Sequence, residues 1–171
     1  MNGDPAYLDG FQLVGKVGIP TFCSEFNGQQ SAYGLFNEAK GGAGVFGGFV
    51  GAACSDASIG VAAVANLESL AQVSYLSTST TLSNTAVYPL FTRGIGSDTT
   101  VIDCVVKLIQ QLDYHRVGIF FTDETFSRSL AQGVVDLVPE RVRTAVAYSA
   151  EESLGINRGP FETQNRYILD H

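Results

Sequence analysis

Positive charge is scarce in this chain: ten Lys and Arg stand against seventeen Asp and Glu over 171 residues, a net charge of −7. Such a balance repels phosphate backbones and anionic lipid, and no local basic cluster offsets it, so no nucleic-acid partner is expected. Histidine is rarer still, with only His115 and His171, far apart and without a Cys or paired acid beside them. Neither they nor the three cysteines supply a metal-ligand spacing or a Ser/His/Asp or Cys/His arrangement with supporting turn chemistry. No metal, no cofactor and no catalysis is therefore expected. Long apolar runs are missing too, since nothing approaches the roughly 18 consecutive apolar residues that cross a bilayer. Met1-Asn2-Gly3-Asp4 lacks the basic start and apolar core of a signal peptide.

What is present is a globular composition, 45% hydrophobic and 16% charged, enough for one domain with a core. Asn2-Gly3-Asp4-Pro5 reads as a turn, and Leu13 to Ile19 alternates as a strand would before stopping at Pro20. Asn27 is placed to cap a helix over Gln29–Lys40, with Ala32, Leu35, Phe36 and Ala39 at helical spacing and Gly41-Gly42 ending it. A strand over Val45–Val50 follows. Ser55 or Asp56 then caps a helix with Ile59, Ala62, Ala63, Asn66, Leu67 and Leu70 facing the core. Gln72–Leu76 reads as a strand, and Ser77 to Asn84 as a hydroxyl-rich loop. Ser97-Asp98 caps a helix bearing Val101, Val105, Leu108, Ile109 and Leu112. In the next strand, His115–Phe121, the unbroken apolar run Val117–Phe121 predicts burial on both faces. A helix over Thr125–Val138, stopped by Pro139, and a strand over Val142–Tyr148 complete the order. Such alternation predicts an α/β fold, a parallel sheet with helices on both faces, whose ligands collect beyond the carboxyl ends of the strands.

Gly42-Ala43-Gly44-Val45-Phe46-Gly47 matches a dinucleotide-binding glycine pattern, with Glu68 near the place of a ribose-binding acid. The frame is wrong: these glycines follow a helix and open a strand, whereas that fingerprint follows a strand and opens a helix. Three other turns, Ser55-Asp56, Ser77-Thr78 and Ser97-Asp98, hold donors and acids beyond predicted strands. Each cap by itself is worth about 1 kcal/mol to its helix and needs no function. Their convergence would make a site: helix-start N–H groups and hydroxyls for a carboxylate, an acid for an ammonium.

The stretches Gly51-Ala52-Ala53-Cys54-Ser55-Asp56-Ala57-Ser58-Ile59, Gln72-Val73-Ser74-Tyr75-Leu76-Ser77-Thr78-Ser79, Leu82-Ser83, Tyr88-Pro89, Phe91-Thr92-Arg93 and Ser97-Asp98-Thr99 resemble the receptor-family ligand-binding region. This is the extracellular Venus-flytrap module of class C G-protein-coupled receptors and their kin, with the type I periplasmic-binding-protein fold. The resemblance runs from about Leu8 to Val138, which it implies to be lobe one without the family's first strand and helix; residues 139–171 would begin lobe two or form a divergent tail. It implies a small amino-acid-like ligand held by Ser55 and Asp56 at the helix start, Ser77 and Thr78 at the second turn, and Asp98 facing an amino group. Two positions depart from glutamate receptors: Asp56 stands where they carry a hydroxyl, and Phe126 where they carry a tyrosine. By comparison with GABA-B-like relatives, Cys23 and Cys54 form a disulfide, which implies an oxidising compartment, and Cys104 is left as a buried free thiol. The implied whole is a plasma-membrane receptor of GABA-B or metabotropic glutamate type. The module would lie on its extracellular side, joined to the remainder of the receptor and paired as a homo- or heterodimer through lobe one. The alternatives are a periplasmic-type amino-acid-binding protein of a transporter and, further off, a flavodoxin-like enzyme.

Overall fold

The computed structural model describes residues 13–42, 45–122 and 124–149, so the expected turn at Asn2–Pro5 and the tail beyond Ser149 lie outside the described residues. Helix α1 spans Glu25–Lys40. Its cap is Ser24, whose Oγ accepts from the Asn27 N–H at 3.4 Å, so the helix starts four residues before the expected Gln29 and Asn27 lies inside its first turn. Gly41 closes it as expected. The segment before it, Leu13 to Pro20, is coil and not the expected strand. It runs along α1, with Lys16 paired to Glu38 and Gly18 so close to Ser31 that an added Cβ would lie 2.1 Å from its Oγ. Packing on a helix has replaced pairing on a sheet.

Strands β1 (Gly48–Val50), β2 (Ala71–Ser74) and β3 (Phe91–Arg93) form one parallel sheet in that order, with Val50 opposite Val73 and Ser74 opposite Arg93. Helix α2 (Ser55–Leu67) connects β1 to β2 and packs on α1. Its core face carries Ala57, Val61, Val64 and Ala65, while Ala63 and Leu67 of the expected stripe face solvent. Small residues decide this rotation. A Cβ on Gly60 would lie 2.0 Å from the Glu25 carbonyl oxygen, and one on Gly28 would lie 2.2 Å from that of Ala57, so the two helices meet backbone to backbone. Ala32, Phe49, Val61, Val64 and Ala65 fill the core beneath, with Phe36, Phe46 and Phe49 in edge-to-face contact. The Gly60→Ala variant is expected to lose about 1 to 3 kcal/mol or more in urea unfolding, because backbone must move to admit the methyl. Gly34→Ala, with nothing within 4 Å of the new Cβ, serves as the control and should gain about 0.5 to 1 kcal/mol.

The remaining elements are α3 (Thr99–Gln111), β4 (Arg116–Thr122), α4 (Thr125–Leu137) and β5 (Arg143–Ser149), and β4 pairs with β5 in a second parallel sheet. From β1 onward the expected alternation and parallel pairing hold, with the strands divided between two sheets and β3 as an additional three-residue strand. A separate core of Ile102, Val106, Ile109, Val134 and Val142 lies under the second sheet. On α3 the buried stripe is Ile102, Val106 and Ile109; of the expected stripe only Ile109 is buried, and Val101, Val105, Leu108 and Leu112 are exposed. Cys104 shares that outer face and is exposed, against the expected burial. In β4 burial alternates: Val117, Ile119 and Phe121 are half-buried and Phe120 is 85% exposed, because α3 and α4 pack against one face only among the described residues. The expected burial on both faces does not occur.

Candidate functional site

In a parallel sheet every strand delivers its following loop to the same end. Here β1, β2 and β3 deliver Gly51–Cys54, Tyr75–Ser79 and Gly94–Asp98, the last residues before α2, a 3-10 turn at Thr80–Ser83 and α3. The first two loops are laced together by hydroxyls. Ser74 Oγ donates to the Ala52 carbonyl at 2.7 Å and accepts from the Ser77 N–H at 3.0 Å. Ser77 Oγ lies 2.8 Å from Ser58 Oγ and 3.1 Å from the Ala53 carbonyl. Gln72, wholly buried, donates through Nε2 to the carbonyls of Gly51 and Ser58 at 2.8 and 3.2 Å. Gln72 Oε1 is left without a partner, whereas the paired hydroxyls and the Gln72 amide hold the loop conformation.

These contacts divide the expected site residues by role. Ser55 and Ser77 are buried, and their hydroxyls are engaged within the chain: Ser55 Oγ accepts from the Ser79 N–H at 3.2 Å. Neither Ser55 nor Asp56 caps α2, because Cys54 holds that position. Thr78 is half-buried and its carbonyl accepts from the Asp98 N–H at 2.9 Å. Asp98 stands at the N-cap of α3, yet its side chain makes no capping bond there. It is 4% exposed, and its Oδ2 has no hydrogen-bond partner. Burial raises its pKa above the ordinary carboxylate value, against the opposing pull of the Thr78 hydroxyl and the Arg93 guanidinium. Arg93 does not neutralise it at close range. Its Nη1 donates to the carbonyls of Ser79 and Ser77 at 2.9 and 3.3 Å, its Nη2 to Ser83 Oγ, and burial lowers its pKa.

The second sheet unit reaches the same loops through α4. Asp56 Oδ2 accepts from the Thr125 N–H at 3.3 Å, and Ser79 Oγ pairs with Ser129 Oγ at 3.0 Å. Phe126, between those two contacts, is 39% exposed. Thus Ser55, Asp56, Ser77, Thr78, Asp98 and Phe126 are linked through neighbouring contacts, while Ser58, Gln72, Ser74, Ser79, Arg93 and Ser129 complete the frame without having been singled out as site residues. Of these only Ser79 lies in the hydroxyl-rich stretch 77–84; the others carry no signal in the sequence that sets them apart from ordinary core or surface polar residues.

Cys23 and Cys54 form a disulfide, with Cα atoms 5.2 Å apart, tying the entry of α1 to that of α2 beside the site. A cavity of about 350 Å³ lies elsewhere, between β4 and helices α3 and α4; its lining is apolar apart from Ser127, so it offers no charges to an amino acid. Among the described residues no group of three or more His, Cys, Asp or Glu could hold a metal ion, and no helix is long and apolar enough to cross a membrane.

The receptor family ligand binding region matches residues 1–165, nearly the whole chain. The chain belongs to that family. Membership places it among receptor ligand-binding regions and not among enzymes. Within the receptor family, G-protein coupled receptor family C group 6 member A of Carassius auratus is 35% identical over 86 residues, 50% of this chain and 10% of the relative. The human protein of that name is 33% identical over 79 residues, 46% of this chain and 8% of the relative. Metabotropic glutamate receptor 4 of Rattus norvegicus is 26% identical over 123 residues, 72% of this chain and 14% of the relative. The chain therefore spans about a twelfth to a seventh of the length of these curated relatives.

Proposed function

We propose that this chain is part of the extracellular ligand-binding region of a class C cell-surface receptor, sensing an amino acid or a close analogue for G-protein-coupled signalling. The observation that carries this reading is Asp98, a buried carboxylate with a spare Oδ2 at the end of the sheet where the loops gather. The Thr78 hydroxyl partners the Asp98 carboxyl group, but a buried Oδ2 left bare is costly, and an ammonium placed against it supplies the missing partner. The ligand carboxylate would then take N–H groups of the first turn of α2, which a helix leaves without intrahelical acceptors. Thr78 contributes the hydroxyl between the two ends. Ser55 and Ser77 support the site by holding its loops, a positioning role in place of the direct contacts implied by resemblance.

The presence of two sheets with separate cores supports a lobe boundary within Gly94–Asp98, earlier than the one implied at Val138. Asp56–Thr125 and Ser79–Ser129 are then contacts between lobes, and ligand acts by favouring the state that keeps them. A dimer formed through lobe one, with the rest of the receptor in the plasma membrane, would carry the signal. The disulfide accords with an extracellular, oxidising setting. The relatives are receptors, and they lend no support to the transporter alternative.

Calorimetry of the 171-residue chain with glycine, L-alanine, L-lysine, L-glutamate and GABA tests the reading. At least one is expected to bind, and Thr78→Ala should weaken it about five- to tenfold, the worth of one hydrogen bond. Binding by none, or unchanged affinity in Thr78→Ala, would contradict it.

A further inference from the structure

The turn Tyr75–Ser79 lies between the loops that follow β1 and β3 and is tied to both sides. Toward β1, the hydroxyls of Ser74 and Ser77 reach the carbonyls of Ala52 and Ala53. Toward β3, the tie is the side chain of Arg93, which stands opposite Ser74 in the strand register. Its Nη1 donates to the Ser79 carbonyl at 2.9 Å and to the Ser77 carbonyl at 3.3 Å, and its Nη2 donates to the Ser83 hydroxyl. These acceptors are neutral oxygens, and the two carbonyls flank one residue, Thr78. Charge-assisted bonds of this kind are stronger than neutral ones, and a planar fork fixes several acceptors at once where a lysine ammonium on its flexible stem does not. Thr78 in turn meets Asp98, since its carbonyl accepts the Asp98 N–H at 2.9 Å and its hydroxyl bonds the Asp98 carboxyl group. Burial raises the Asp98 pKa, and the Thr78 hydroxyl and then the Arg93 charge oppose that rise.

We propose that Arg93 is a positioning residue of the site: by holding the carbonyls on both sides of Thr78 it sets the Thr78 hydroxyl against Asp98, and through that pair it governs how tightly the ligand ammonium is held. The inference rests on the amino-acid reading above and adds to it a residue that acts from outside the binding surface. The guanidinium donors are directed at the chain, so Arg93 reaches the ligand only through Thr78 and Asp98.

Two measurements on the 171-residue chain test this, each with Arg93→Lys, Thr78→Ala and the double variant. Lysine keeps the positive charge and gives up the fork. In the first, the Asp98 carboxyl group is titrated by NMR in the ligand-free chain. Loss of the Thr78 hydroxyl raises the midpoint in Thr78→Ala, because a bond to the charged form is gone. Arg93→Lys is expected to raise it too, and the double variant to match Thr78→Ala, since two changes on one path do not add. In the second, calorimetry follows glycine, L-alanine, L-lysine, L-glutamate and GABA. The one that wild type binds most tightly is expected to bind Arg93→Lys about fivefold more weakly, and the double variant no more weakly than Thr78→Ala. A midpoint unmoved in Arg93→Lys overturns the proposal, as does an affinity loss that adds in full to that of Thr78→Ala, the mark of a purely structural role. If none of the five binds wild type, the amino-acid reading itself fails, a result that the ligand-free titration keeps apart from a failure of the clamp. Should Arg93→Lys not fold, Ser83→Ala, which releases Nη2 and leaves the charge, takes its place: a raised midpoint that the Thr78→Ala background abolishes upholds the proposal, and an unmoved midpoint overturns it.

Discussion

Cys23→Ser is expected to lower the unfolding free energy by about 3 to 4 kcal/mol, the chain-entropy worth of a bridge closing a loop of this size. The residues bridged are 31 apart, and the loop between them holds the whole of α1 together with β1. In the folded chain the bridge fixes the entry of α1 against Cys54, the N-cap of α2, where Gly28 and Gly60 already bring the two helices into backbone contact. Its removal should therefore be felt at the site as well as in global stability, because Ala52 and Ala53, whose carbonyls receive Ser74 and Ser77, directly precede the bridged residue. Urea unfolding of the oxidised chain and of Cys23→Ser measures the difference. A loss under about 1 kcal/mol would show that the α1–α2 contact alone sets the geometry. Cys104, exposed on α3, should react with a thiol reagent in the folded protein and leave this bridge intact.

Asp98→Asn is expected to do two opposite things: abolish amino-acid binding and raise the stability of the empty chain at neutral pH. Burial raises the folded-state pKa of Asp98 above its unfolded value, so folding favours the protonated form. The stability associated with that form is fully present below the ordinary Asp value of about 3.9 and is lost as pH rises through the raised folded-state value. At pH 7 wild type therefore holds a buried charge at a cost which Asn does not incur. Thermal unfolding without ligand should place Asp98→Asn above wild type at pH 7, by about 2 to 4 °C for each kcal/mol recovered, with the gap closing below about pH 4. Binding of the best amino acid should fall about 50-fold or more, since the ammonium loses its charged partner. A variant less stable than wild type at pH 7 would mean that Asp98 serves the fold, and undiminished binding would remove it from the site.

Much of this was legible in the residues, and the failures share a physical cause. The helices and the longer strands follow from apolar spacing closed by Gly41 and Pro139, and the site turns from hydroxyls placed after strands. On α3, however, apolar residues come in adjacent pairs, Val101-Ile102, Val105-Val106 and Leu108-Ile109, which write two overlapping stripes one residue apart. Periodicity cannot choose between them; α4 and β4 do, and Cys104 goes outward with the losing stripe. The start of α1 failed similarly, since Ser24 and Asn27 are both good caps and only the geometry shows Ser24 accepting from Asn27. Strand β3 has three residues, too few to show a period. At the site, chemistry identifies donors without their acceptors. Ser55 and Ser77 are legible as donors, but their bonds to the Ser79 amide and to the loop carbonyls are not, and neither is the unpartnered Oδ2 of Asp98.

The central claim, that Asp98 receives the ammonium of an amino acid, is tested most directly by calorimetry of L-alanine against L-lactate on the wild-type chain. Lactate keeps the carboxylate and the methyl group and replaces the ammonium with a hydroxyl, so the comparison isolates the contact at Asp98. The account predicts that alanine binds and that lactate binds at least about 100-fold more weakly. Lactate binding as tightly as alanine would contradict it.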